Sequence, residues 1–259
     1  MHTIRIDRGK PLADEPHVGH NRYHPDIAPI AEVGEGEEIA LETRDALDGQ
    51  IKPGMSAADL VSIEAGVVHP LTGPVFVKGA APGDLLEIEF TDIIAQPSAF
   101  SAIVPGLGFL RDVFLEPFLV HWRIADGWAT SPEIPGVRIP GAPFMGVSAV
   151  APSAAKLAEW TAREQRVIDK GGLAFPPDPA GAVPTGPCGI TGLRTLPAPR
   201  ERRQLRRQAA DQRRQAVPAS IPGRWIVLNR RRVLRARRRR GLCHCGRDGR
   251  YGRGPLQDP

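Results

Sequence analysis

The sequence predicts a mostly-β fold, an antiparallel sandwich or barrel, carrying one inserted helix. Three observations lead there. Several short segments alternate polar and apolar residues with period two, the signature of a half-buried strand. Glycine (28) and proline (27) are abundant in 259 residues, which favours short strands and turns over long helices. Only one stretch carries a helical pattern. With 41% hydrophobic residues, a chain of this length buries a sizeable core.

Residues 38–43, Glu-Ile-Ala-Leu-Glu-Thr, form the first clear alternation. Val75 to Val77 reads as a second strand after a Pro-Leu-Thr-Gly-Pro turn. Residues 84–90 alternate through most of their length, and 118–124, Phe-Leu-Val-His-Trp-Arg-Ile, supply a further strand. The exception runs from Ser153 to Lys170. Ser153 is placed to cap a helix, Leu157, Trp160, Val167 and Ile168 fall near one face, and Gly171-Gly172 ends it. An apolar stripe of this kind faces a core. A Pro/Gly-rich loop follows from Pro176 to Pro187.

No stretch reaches the apolar length of a membrane span, and the start alternates where a signal peptide would carry an apolar run. Three cysteines, two of them nearly adjacent, make no disulfide framework. A cytoplasmic location is the expectation. The net charge of +5 hides an asymmetry. From Arg200 to Pro259 there are 19 arginines, no lysine and four acids, so the body is acidic and the tail strongly basic. Such a division points either to a nucleic-acid-binding tail or to two segments of different origin.

Four clusters are candidates for chemistry. The first holds His17, His20, Asn21, Arg22, Tyr23, His24 and Asp26. It is either a flexible polar arm or a place where imidazoles ligate a metal or substrate. The second, Arg44 to Gln50, carries Asp45 and Asp48 at a strand end. They could serve a metal or a general base, but taken alone they read more readily as an Asx-type turn, which Asp-Gly favours. In the third, Val68 to Pro74, two prolines and a glycine fix the backbone around His69, a preorganised loop of the sort that builds sites. The fourth, Pro105 to Leu110 with Pro140 to Gly146, is turn-forming and lacks the lysine and helix of a phosphate loop. Cys188 in Gly-Pro-Cys-Gly is either a nucleophile with a histidine as its base or a small buried thiol.

Taken together, six motifs resemble the acetamidase/formamidase family in order and spacing. They are His20 to Ile27, Glu42 to Gln50, His69 to Pro74, Gly79 to Asp84, Pro105 to Leu110 and Pro143 to Gly146. The histidine-rich first motif is more like the formamidase branch. The resemblance covers 1–199. It implies a mostly-β, sandwich-like fold with internal duplication, hydrolysis of a small amide such as formamide or acetamide to a carboxylate and ammonia, and a homo-oligomer. A divalent metal such as zinc fits that chemistry, since it activates water and polarises a carbonyl. Asp45, Asp48 and His69 are then expected as catalytic residues, and His20, Asn21 and Tyr23 as substrate-binding ones. His24, Asp45 and His69 are the expected metal ligands.

The segment 200–259 departs from the family and is expected to be irregular or disordered. The family continues with an Asn-Gly-Gly-Asn-Phe-Asp segment and a later Gly-Asp…Gln-Gly-Asp-Gly-Glu segment, neither of which is present. Arginine codons such as CGG and CGA, read one base later, give glycine, aspartate or glutamate. Spelled with allowed codons and shifted by one base, Arg200 to Gln212 reads Glu-Asn-Gly-Gly-Asn-Phe-Asp-Val-Lys-Gln-Leu-Thr. The stretch from Leu228 onward, in the same frame, yields the second missing segment. The sequence thus predicts a reading-frame slip near Pro199 to Arg202, with activity of this form in question. On that reading Cys243-His244-Cys245 is an ordinary strand rather than a zinc site, which wants four ligands. The alternative is a non-catalytic protein whose basic tail binds nucleic acid through phosphate charge, without sequence preference. Trp225 and Tyr251 are the tail's only aromatics for base stacking.

Overall fold

The structure, a computed structural model, describes residues 2–82, 84–108 and 110–196, and the backbone of three strands at 214–219, 225–228 and 233–239. In chain order the strands of the first half are β1 (His2–Ile4), β2 (Gly19–His20), β3 (Arg22–Tyr23), β4 (Ala31–Val33), β5 (Glu38–Leu41), β6 (Leu71–Val77) and β7 (Asp84–Phe90). Next come β8 (Ser98–Ile103), β9 (Phe118–Ala125), β10 (Trp128–Thr130), β11 (Arg138–Pro140) and β12 (Ser148–Val150). Helix α1 (Ala154–Ile168) and the short α2 (Pro187–Thr191) precede β13 (Leu193–Arg194), β14 (Arg214–Ala219), β15 (Trp225–Leu228) and β16 (Val233–Arg239).

Two five-stranded sheets face each other. One runs β1-β5-β16-β7-β14, the other β12-β15-β6-β2 with β4 also paired to β6. The alternation in β7 shows why: Leu86, Ile88 and Phe90 are buried, while Leu85, Glu87 and Glu89 turn the other way. They pack with Ile39 and Leu41 of β5 against Val33, Val75, Val77 and Val150 of the opposite sheet, in one continuous core. The sandwich-like fold is therefore present. It is not purely antiparallel, because β1 pairs with β5 and β4 with β6 in parallel. A third, four-stranded sheet β11-β10-β9-β8 stands apart as an antiparallel meander.

The expected strands at 84–90 and 118–124 are β7 and β9, and 38–43 contains β5. The strand expected at Val75 to Val77 is present but longer than expected. The strand begins at Leu71, so most of the proline-flanked turn before Val75 is itself ladder. Its pairing with β2 requires close backbone approach: a Cβ on Gly19 would sit 2.3 Å from the Leu71 carbonyl oxygen. The helix forms where expected, with the Ser153 Oγ accepting from the Lys156 N–H at 3.2 Å. Leu157 and Trp160 bury against Tyr23, Leu71 and Leu193, whereas Val167 and Ile168 remain exposed, so the apolar stripe is used only at its first half.

Three strands, β14 to β16, lie within the segment expected to be irregular or disordered. In backbone register β16 sits between β5 and β7, and β15 between β6 and β12. Cys243, His244, Cys245 and Tyr251 lie outside the described residues.

Candidate functional site

The loop that leaves β5 is organised by one carboxylate. Asp45 Oδ1 accepts the Leu47 N–H at 2.8 Å and Oδ2 accepts the Gly49 N–H at 2.7 Å. The Asx-type turn is thus real. The same side chain lines a cavity of about 380 Å³, together with Arg8, Thr43, Lys52, Phe100 and His121. Its walls come from the 43–53 loop on one side and from β8 and β9 on the other. His69 connects to this loop from behind: its ring Nδ1 lies 2.8 Å from the Ala46 carbonyl oxygen. A carbonyl can only accept, so Nδ1 carries the proton and Nε2 is the basic nitrogen of the neutral ring. The His69 backbone is fixed by Thr195, whose hydroxyl accepts the His69 N–H at 2.7 Å. In the cavity, His121 donates from Nε2 to the Met55 carbonyl at 2.9 Å, which leaves Nδ1 as its acceptor nitrogen.

Asp48 goes elsewhere. It is buried, accepts the Leu12 N–H at 2.8 Å and lies 3.6 Å from Arg44 Nε. Burial raises its pKa, against the pull of the Leu12 hydrogen bond and the Arg44 charge. Arg44 also pairs with Glu15 and donates to the Lys10 carbonyl. This network pins the 7–15 loop to the end of β5 and takes no part in the cavity walls.

The histidine-rich motif is buried at all three of its expected substrate-binding residues, His20, Asn21 and Tyr23. Asn21 is fully buried. Its amide donates to the carbonyls of Val67 (3.2 Å) and Gly181 (2.7 Å), and its Oδ1 accepts the Val183 N–H at 2.8 Å. Arg22 beside it gives its guanidinium to the carbonyls of Asn21, Gly66, Asp178 and Ala180. Desolvation pulls its pKa down to about 10, which still leaves it charged at neutral pH. His20 is 1% exposed, with Nδ1 2.5 Å from the Arg22 carbonyl. Its buried Nε2 has no hydrogen-bond partner among the described residues, and burial drives its pKa to about 4. Tyr23 packs in the cluster against α1 and meets the His20 ring edge-on at 6.4 Å.

His24 is separate again. Its Nδ1 accepts the Asp26 N–H at 3.2 Å and stands 3.5 Å from Cys188 Sγ. Desolvation, and next the Asp26 charge, raise the Cys188 pKa, so the thiol is held protonated. That is the reverse of what a nucleophile needs. Among the described residues no three His, Cys, Asp or Glu side chains gather as metal ligands. His24, Asp45 and His69 accordingly do not converge, and the residues described here do not fit a resident divalent metal.

The sequence of the Acetamidase/Formamidase family matches this chain over residues 5–204. The chain belongs to that family. It is 34% identical to an acetamidase of Mycolicibacterium smegmatis over 224 residues, covering 77% of this chain and 55% of that protein. A putative formamidase of Schizosaccharomyces pombe is 36% identical over 64% of this chain and 42% of its own length. A formamidase of Methylophilus methylotrophus is 32% identical over 73% of this chain and 47% of its own. The chain thus spans about half the length of the curated relatives it matches. Among solved structures it resembles a gamma lactamase from Delftia acidovorans, with TM-score 0.82 and 28% identity, over 92% of this chain and 68% of that one. The fold is shared with an acetamidase of Bacillus halodurans at TM-score 0.58 and 21% identity, over 85% and 68% of the two chains.

The motif around Asp45 and His69 was legible in sequence. Arg8, Lys52 and His121 were not, since isolated cations and a strand histidine carry no local signal. The one hint is His121 itself, which with Arg123 interrupts a strand that is otherwise apolar.

Proposed function

We propose that this chain is a hydrolase of short linear amides, cleaving the carbon–nitrogen bond to a carboxylate and ammonia at the cavity beside Asp45. The observation that carries the reading is the family membership of residues 5–204, whose Asp45 motif borders a cavity large enough for such a substrate. Asp45 accepts a proton from the attacking water as its oxygen bonds to the amide carbon. The two backbone N–H groups hold the carboxylate in place for this. The carbon–nitrogen bond then breaks as Asp45 passes that proton to the departing nitrogen, while His121 on the opposite wall, its Nε2 proton committed to the Met55 carbonyl, offers Nδ1 as a hydrogen-bond acceptor for the amide N–H. His69 acts through Ala46 as a positioning residue for the Asp45 turn. Water and amide thereby become carboxylate and ammonium, with no atom unaccounted for. The reading includes assembly into homo-oligomers, which the exposed Leu110, Val113, Phe114 and Leu115 favour, and a cytoplasmic setting. No helix among the described residues is long and apolar enough to cross a membrane.

Ammonia release from formamide and acetamide tests the reading. Asp45→Asn keeps the size of the side chain and removes the base. A loss of about 100-fold or more in kcat is expected from general-base catalysis of ordinary strength. Unchanged turnover removes Asp45 from the chemistry.

A further inference from the structure

The cavity is larger than formamide or acetamide requires, and two cations stand on its walls. Acetamide has four non-hydrogen atoms and, at roughly 30 Å³ each by analogy with liquid water, fills about 120 Å³. The cavity offers about 380 Å³. Two cations, Arg8 and Lys52, stand on its walls, both exposed. Neither is engaged in an ion pair among the described residues. The single carboxylate lining it, Asp45, already accepts two backbone N–H groups. Lys52 shares a wall with that carboxylate. A Cβ placed on Gly49 would lie 3.8 Å from Lys52 Nζ and 3.9 Å from Asp45 Oδ2, and the absence of a side chain there, at φ +72°, leaves the space between them open. Phe100, Ile94 and Ile124 supply apolar wall for a short methylene stem.

Resting on the amide-hydrolase reading, we infer that the preferred substrate is a short amide whose far end carries a carboxylate, bound by Lys52 and Arg8 while the amide lies against Asp45. The half-amide of a small dicarboxylic acid has the right chemistry. Succinamate, with eight non-hydrogen atoms, needs roughly 240 Å³ on the same scale and fits. A carboxylate gains charge-assisted hydrogen bonds from either cation, and a neutral chain of the same shape gains none.

The experiment compares kcat/KM for acetamide, succinamate and 4-methylpentanamide, the neutral isostere of succinamate, by ammonia release from the full chain. Succinamate is expected to exceed its isostere by about tenfold or more, with the advantage shrinking as salt rises. Lys52→Glu is expected to cut the succinamate-to-isostere ratio by about tenfold or more, and Arg8→Met to cut it by less. Both positions are exposed, so the variants report on binding rather than on folding. Turnover of acetamide with a ratio near one, insensitive to salt and to Lys52→Glu, overturns the inference and leaves the hydrolase reading standing. Calorimetric titration of succinamate separates the remaining cases. Binding weakened by Lys52→Glu without turnover of any amide supports the carboxylate site and sinks the hydrolase reading. Neither binding nor turnover sinks both.

Discussion

His20 makes folding depend on pH in a way that can be worked from its surroundings. The ring is fully enclosed, its Nδ1 is committed to the Arg22 carbonyl, and its Nε2 faces no acceptor among the described residues. Protonation would place a second N–H and a full charge where nothing receives either, so the folded pKa falls from 6.5 to about 4. The sign follows from proton counting. As pH drops below the unfolded value, the unfolded chain takes up a proton that the folded chain refuses. Stability is then fully present above the unfolded pKa and is lost as pH falls toward the folded one. A gap of two to three units corresponds to about 3 kcal/mol, at about 1.4 kcal/mol per unit. His20→Asn removes the titration but retains an amide donor near the Nδ1 position. Urea-denaturation curves for both chains, between about pH 7 and about pH 4, give the unfolding free energy of each. The stability of the parent relative to the variant is expected to fall by about 3 kcal/mol across that range. Asp48, whose raised pKa acts in the opposite direction, is common to both chains and cancels. A difference that stays constant with pH would refute the reasoning and mean that the buried ring finds an acceptor when protonated.

Asn21→Ala is expected to lower stability by about 3 kcal/mol or more, because the Val67 and Gly181 carbonyls and the Val183 N–H lose their partner together. Urea midpoints check this, and a loss below about 1 kcal/mol would mean that water replaces the amide. The arginine-rich segment from Arg200 yields a genetic prediction. We propose that it is the family's own continuation read in the wrong frame, so the coding DNA, shifted by one base near codon 200, is expected to encode Asn-Gly-Gly-Asn-Phe-Asp. A shifted frame without that segment ends the proposal.

Period-two alternation made β7 legible, a largely apolar run between Pro117 and Asp126 marked β9, and Ser153 with the paired glycines bounded α1, because in each case the signal lies within a few consecutive residues. Strands such as β1, β2 and β4 are two or three residues long and exist only through partners elsewhere in the chain, two of them in parallel. No local pattern announces them. The histidine-rich motif was visible by composition, yet its job was not. Asn21 and Arg22 spend their hydrogen bonds on carbonyls more than 40 residues away in sequence, at Val67, Gly66 and Ala180.

The sequence by itself determined the mostly-β class, the helix after Ser153, the family, and the places of the Asp45 and His69 motifs along the chain. These are properties of short stretches and of their order along the chain. The tertiary structure decided which polar residues face a cavity and which are buried to hold loops together. Asp45 and Asp48, three residues apart, went to opposite fates. One closes a turn beside open space. The other, with φ +58°, is turned inward onto Leu12 and Arg44. The physical reason is that desolvation, ion pairing and access to substrate depend on what surrounds a side chain in three dimensions. For this chain those surroundings are assembled from loops at 7–15, 43–53 and 94–97 and from strands β8 and β9, which are adjacent only once the chain has folded.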